Sequence, residues 1–235
     1  MRSVMMKAAL LGCSATVLGI SGPSAAQETP RATAYESVAR WPDWSGVWSP
    51  GVGSGSRTTP TPPKLTSAAQ ATLDAFNAGK ERGENLQTQA ANCVPNGMPG
   101  IMRLPYPIEF TRQGDTLVLK IEEYDTVRTI HLAPAADAGA PSPLGRSVGR
   151  WEGSALVVTT TNATVGAYGS IGGALIPLGA DATFVERFTP SADGAYLDYG
   201  MAITDPRYLS EAVTLEKRWL NVPGTQVLPY NCTPR

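Results

Sequence analysis

From Tyr106 to Leu220 the chain repeatedly alternates apolar and polar residues with a period of two, and this limits the fold more than any other feature. Successive side chains of a strand point to opposite faces, so alternation marks a sheet with one buried side. Tyr106, Ile108 and Phe110 alternate, Gln113-Gly114-Asp115 turns, and Leu117, Leu119 and Ile121 alternate again. A turn at Glu123 to Asp125 leads into Val127 to Leu132. Ser147 to Thr161 reads as a hairpin turning at Glu152-Gly153, and Phe184 to Phe188, Ala195 to Thr204 and Ala212 to Leu220 follow. With a strand at Trp44 to Trp48 this makes about nine strands, spaced roughly 8 to 15 residues apart. The expected class is mainly β, an antiparallel meander closing into a barrel, because closure removes the edges an open meander leaves. A barrel of this size holds side chains or one small ligand.

The segments before the meander set the compartment and the domain plan. Arg2 and Lys7, the apolar run Ala8 to Ile20 and the small residues Ser24-Ala25-Ala26 read as a signal peptide over 1–26, cleaved near Ala26. That run is too short for a stable membrane span. Residues 27–40 read as a flexible lead-in and 41–235 as a single domain. Trp41, Trp44 and Trp48 fall within eight residues and must bury. A helical insertion is expected over about 65–91, with Ser67 and Gln70 as a capping box and Gly79 as a stop. The proline-rich stretch from Cys93 to Phe110 reads as rigid connector. Beyond the signal, Cys93 and Cys232 are the two remaining cysteines, and in an oxidising compartment a disulfide between them is the natural reading. The chain carries a net charge of -1, or -3 without Arg2 and Lys7, which offers no footprint for nucleic acid.

The residue chemistry excludes several site classes. One histidine and two paired cysteines leave no metal cluster of nitrogen and sulfur ligands, and no cofactor motif is present. His131 is the acid/base candidate at neutral pH. Glu186, flanked by Phe184 and Phe188, is expected to face inward and so needs a partner, for which Arg150 or Arg103 would serve. Tyr106 adds a hydroxyl to this catalytic set of His131, Glu186, Tyr106 and Arg150. Phe110, Tyr168, Phe184, Tyr199 and Met201 are the expected ligand-binding residues. The Gly-rich stretch Gly166 to Ala180 reads as a loop, with a flap over a barrel mouth as its functional alternative.

Two resemblances add to this. Gly46-Val47-Trp48 resembles the G-x-W that opens lipocalins and related calycin barrels, which implies that Arg218 stacks across Trp48 at the barrel base. Residues 41 to 232 resemble a widespread family of secreted proteobacterial proteins through WSGVW, CVPNGMPGIM, PYPIEF, GRSVGRWEG, VERF and the late Tyr230-Asn231-Cys232. No activity comes with that second resemblance. Its members tend to carry histidine at Arg146 and near Thr183, and Asp at Ser154 and Thr160, so a polar site based on those positions is lost or rebuilt here.

These readings converge on a periplasmic or secreted calycin-like barrel that binds a small apolar or aromatic molecule. One alternative is a cofactor-independent lyase, isomerase or cyclase acting on such a molecule. The other is a structural envelope protein with a filled barrel.

Overall fold

A computed structural model of the chain describes residues 44, 46–50, 62–84, 92–133, 139–164, 169–171 and 174–234. The signal at 1–26, the lead-in at 27–40, Trp41 and Tyr168 lie outside the described residues. The barrel strands are β1 (Val47–Ser49), β2 (Ile108–Gln113), β3 (Thr116–Ile121), β4 (Thr126–His131), β5 (Arg146–Glu152) and β6 (Ala155–Thr161). A separate two-stranded hairpin, β7 (Gly169–Ile171) and β8 (Ala174–Ile176), precedes β9 (Thr183–Pro190), β10 (Tyr196–Thr204) and β11 (Val213–Val222). Among the described residues nine strands close into a ring in the order β1-β11-β10-β9-β6-β5-β4-β3-β2. The mainly β barrel expected from the alternation is therefore what forms.

One pairing departs from a pure antiparallel meander. β4 and β5 run parallel, in register only at Ile130 with Ser147 and His131 with Val148. The reason is parity. Each antiparallel neighbour reverses the strand direction, so a ring of nine strands returns to its start in the right direction only if one pair does not reverse it. The barrel has a seam there, with far fewer backbone pairs than β9 and β10 share.

Helix α1 (Ser67–Glu81) is capped by Thr66, whose hydroxyl accepts from the Ala69 amide at 3.3 Å. The cap thus stands one residue before the expected Ser67. Gly79 does not stop this helix; it is buried on the packed face with Ala69 and Phe76, and the helix runs to a C-cap at Arg82, followed by Gly83 at φ 82°. The Cys93 connector contains a single helical turn, α2 (Gly100–Arg103), whose Ile101 and Met102 are buried in the core. Strand β8 lies against α1, and β7 against α2. The Gly-rich stretch is thus partly a hairpin packed on the helices.

Cys93 and Cys232 are disulfide-bonded, tying the C-terminal tail to the connector. The tail is further held where Glu122 accepts from the Leu228 amide at 3.2 Å and Asp125 from the Tyr230 amide at 3.2 Å. Trp44 and Trp48 are both buried, as their clustering requires, and the Trp48 indole donates to the Trp44 carbonyl at 3.1 Å. Arg218 does not stack across Trp48. Trp219 is on the inner face of β11, so its neighbour Arg218 faces outward, where it grips Asp198 at 2.6 and 2.7 Å.

Candidate functional site

The inner face of the barrel carries one saturated polar cluster. Alternation along β4 turns Thr126, Arg128 and Ile130 inward, and along β9 it turns Phe184, Glu186 and Phe188 inward. Arg128 and Glu186 meet as a fork-to-fork ion pair: Nη1 donates to Oε1 at 2.9 Å, and Nη2 to Oε2. Arg128 Nε also donates to Ser147 Oγ on β5 at 3.0 Å, and Nη2 to Thr160 Oγ1 on β6 at 2.7 Å. The Tyr199 hydroxyl on β10 donates to Glu186 Oε1 at 2.7 Å, and Thr160 lies 3.3 Å from Oε2. Both oxygens of the carboxylate therefore have two partners each, which fills its acceptor positions. Burial works against the Arg128 charge, but Glu186 outweighs it and the guanidinium is held above its usual range. Burial, and then the Glu186 charge, push the Tyr199 phenol well up, so it stays a donor.

Beside this cluster lies a continuous file of aromatic rings. Trp151 on β5 packs edge-on against Trp44 at 5.6 Å, Trp44 against Phe110 at 5.3 Å, and Phe110 against Phe188 at 5.4 Å. Phe188 then meets Tyr199 at 4.8 Å, and Tyr199 meets Trp219 at 5.3 Å. Edge-to-face contacts of this kind add about 0.5–1.5 kcal/mol each beyond the area they bury. The file ends at a polar remainder. Trp219 Nε1 is buried and has no hydrogen-bond partner among the described residues. Lys217, on the same face two residues earlier, lies 4.3 Å over the Trp219 ring and donates to the Leu104 carbonyl, just beyond α2, at 2.5 Å. Burial pushes its amine down to about 8.

Of the residues expected from the sequence, Glu186, Tyr199, Phe110, Phe184 and Met201 come together inside the barrel. His131, Arg150 and Tyr106 do not join them. His131 is half-buried at the end of β4, on the face opposite Arg128 and Ile130. Arg150 is exposed and bonds Glu152 at 2.7 Å, so it is not the partner of Glu186; Ser147 and Gly149 take the inward positions of β5 instead. Arg103, the other expected partner, is in α2, while Arg128 fills that role from β4. Tyr106 stands before β2 with its hydroxyl 3.3 Å from that of Tyr230, a hydrogen bond that pushes its phenol up to about 12. The proposed catalytic set is thus dispersed over separate faces. Arg128, Ser147, Thr160, Lys217 and Trp219 are the site residues the sequence reading missed. Lys217 alone carries a readable signal, a polar residue flanked at i±2 by the apolar Leu215 and Trp219; Arg128 and Thr160 each have a polar residue on one side at i±2, and Ser147 has glycine on both.

On the β9–β10–β11 wall a depression of about 300 Å³ is lined by Arg187, Thr189, Asp198, Tyr199, Gly200, Glu216 and Lys217. Gly200 lies in register between Arg187 and Glu216, and a Cβ added there would meet nothing within 4 Å. No group of His, Cys, Asp and Glu able to hold a metal occurs among the described residues, and no helix among them is long and apolar enough to cross a membrane. No family model matches the chain, and no curated protein matches it.

Proposed function

We propose that this protein binds a small, mainly aromatic or apolar molecule on the Tyr199–Trp219 side of its barrel. The observation that carries the reading is the end of the aromatic file. Buried tryptophans ordinarily find an acceptor for their N–H, since a buried unsatisfied donor costs about 1–3 kcal/mol. Trp219 has none among the described residues, and Lys217 beside it has one carbonyl acceptor and the face of the Trp219 ring. A ring with a polar end, stacked against Tyr199 and Trp219, would extend the file and supply the missing acceptor. The saturated Arg128–Glu186 pair then serves as frame rather than as ligand contact, since a carboxylate with both oxygens doubly engaged has no acceptor position left for a ligand's N–H or O–H. The Cys93–Cys232 disulfide supports an oxidising compartment, the periplasm or the outside of the cell, as the place of action.

A thermal-shift screen of aromatic and aliphatic metabolites tests this, followed by titration of tryptophan emission. A true ligand at about 100 times its Kd stabilises the fold by about 2.7 kcal/mol. It should also change the emission of the wild type more than that of Trp219→Phe. If no compound raises Tm, and native mass spectrometry of the purified protein finds no bound small molecule, the binding reading is lost and the filled structural barrel takes its place.

A further inference from the structure

We propose that Tyr106 and the segment 120–125 form a clasp for an extended peptide, held shut by the protein's own C-terminal tail and freed when the Cys93–Cys232 disulfide is reduced. The tail starts where β11 ends. Gly224 turns there at φ 75°, and the Thr225 amide bonds the Val222 carbonyl at 3.4 Å. Beyond that turn the tail belongs to no strand. Among the described residues, every hydrogen bond to residues 226–232 involves a clasp side chain. Lys120 Nζ donates to the Val227 carbonyl at 3.4 Å, while Glu122 and Asp125 accept from the Leu228 and Tyr230 amides, both at 3.2 Å. These contacts address the main chain, so they fit an extended backbone of many sequences. Side-chain preference comes from Val227, which is buried, and from Tyr230. The Tyr230 ring lies 4.6 Å from that of Tyr124 and 5.6 Å from that of Tyr106, and its hydroxyl is 3.3 Å from the Tyr106 hydroxyl.

Backbone conformation sets the clasp apart from ordinary tail packing. Four non-glycine residues among those described have a left-handed backbone, and three of them hold the tail: Cys93 at φ 55°, and Tyr124 and Asp125 at φ 51°. That conformation is unfavourable for residues with a Cβ, and it gathers at clamps and switches. The Asn96 side chain, three residues after Cys93, donates to Glu123 at 2.8 Å, so connector and clasp are joined beneath the tail. The ring itself does not need the tail, because β1 closes it by pairing Val47 with Val222. Without the disulfide, three hydrogen bonds, two ring contacts and one buried valine must offset the conformational entropy of about ten ordered residues, and they fall short. Reduction by a dithiol is therefore the opening step. One thiolate attacks Cys232 Sγ as the bond to Cys93 breaks, and Cys93 leaves as a thiolate and takes a proton. The second thiol then displaces Cys232 as a thiol, and the dithiol ends as a disulfide, two electrons having passed to the protein.

Hydrogen exchange read by mass spectrometry, on the full chain with and without dithiothreitol, tests the opening. Reduction should speed exchange at the Leu228 and Tyr230 amides by about tenfold or more, while the amides of β9 and β10 keep their protection. The chain with both Cys93→Ser and Cys232→Ser should behave in the same way without reductant. A fluorescein-labelled peptide of residues 224–234, made with Cys232→Ser and followed by anisotropy, tests the clasp. It should bind the reduced protein about tenfold or more tighter than the oxidised protein, whose tethered tail excludes it. Tyr230→Ala in the peptide should weaken binding by about tenfold, the worth of two ring contacts. Unchanged exchange at Leu228 and Tyr230 on reduction, or loss of protection throughout the barrel, overturns the opening. A freed tail with no peptide binding at millimolar concentration, or equal binding of the Tyr230→Ala peptide, overturns the clasp. Ligand binding in the barrel stands or falls separately from both.

Discussion

Removing one member of the Arg128–Glu186 pair should damage the fold more than removing both. In Glu186→Leu the guanidinium stays in the barrel, 1% exposed, with only Ser147 and Thr160 as acceptors, and the Tyr199 hydroxyl loses its acceptor. In Arg128→Met the carboxylate keeps Tyr199 and Thr160 but loses both guanidinium bonds. An uncompensated buried charge costs about 3–5 kcal/mol, against a typical total stability of about 5–15 kcal/mol, so each single variant should forfeit about a fifth of the fold's stability or more. The double variant has no buried charge and two apolar side chains of similar volume. Its loss should be below about 2 kcal/mol, chiefly from the Tyr199 hydroxyl left without an acceptor. Guanidinium chloride unfolding, followed by tryptophan emission with the disulfide intact, gives all four corners of the cycle. The coupling energy should exceed about 3 kcal/mol, with unchanged m-values. Additive single losses, with a coupling below about 0.5 kcal/mol, would refute the view that the two residues act as one closed unit.

Lys217 makes an opposite prediction. Its amine sits near 8 in the fold against an ordinary 10.5, so between those values the unfolded chain binds more protons and stability rises with pH. Below pH 8 the full penalty of about 3 kcal/mol is present. Lys217→Met should therefore be more stable than wild type at pH 7 by about 1–2 kcal/mol after losing the Leu104 bond, and the gain should fade toward pH 10.5. A difference that does not change with pH would count against the burial argument. Breaking the Cys93–Cys232 bridge with Cys232→Ser, with Cys93 also changed to Ser, opens a loop of 139 residues, worth roughly 5 kcal/mol in the chain-entropy model, measurable as a fall in the denaturant midpoint. Asp205, 2% exposed, accepts from the amides of Gly179, Arg207 and Tyr208 at 2.6, 3.0 and 3.2 Å. Asp205→Ala should cost about 2–4 kcal/mol in the same assay, and retention of wild-type stability would show that water replaces the carboxylate.

The barrel was legible because alternation is a local property, repeated in strand after strand. The inward Glu186 was legible for the same reason, with phenylalanine on either side at i±2. Its partner was not. In Thr126–His131 each face carries one aliphatic residue among polar ones, and Val127 is 54% exposed while Arg128 is buried beside Ile130. Only other strands of the ring decide that question, since the guanidinium is inside because Ser147, Thr160 and Glu186 converge on it from β5, β6 and β9. The parallel seam was equally hidden. It follows from the number of strands in the closed ring, and the residues of 132–145 carry no mark of it. Lys217 looked like one more charge in Glu216-Lys217-Arg218, a run whose outer members face solvent or an outer-face partner and whose middle member faces in.

The shortest strand fixes when the molecule can be finished. β1 has three residues, yet it alone bridges the ring between β2 and β11, pairing Val47 with Val222 and Trp48 with Ile108. A chain emerging in N-to-C order, from a ribosome or through a pore, can zip β2 to β3 and β5 to β6 as each hairpin appears. It cannot seat Trp48 in a closed ring until residue 222 has arrived. The last closure is also the longest in sequence, which places this protein among slow-folding, high-contact-order topologies. Until then β2 and β11 are open edges able to capture another chain. The waiting period, more than the finished barrel, is where such a protein is exposed to aggregation and would depend on a holding chaperone.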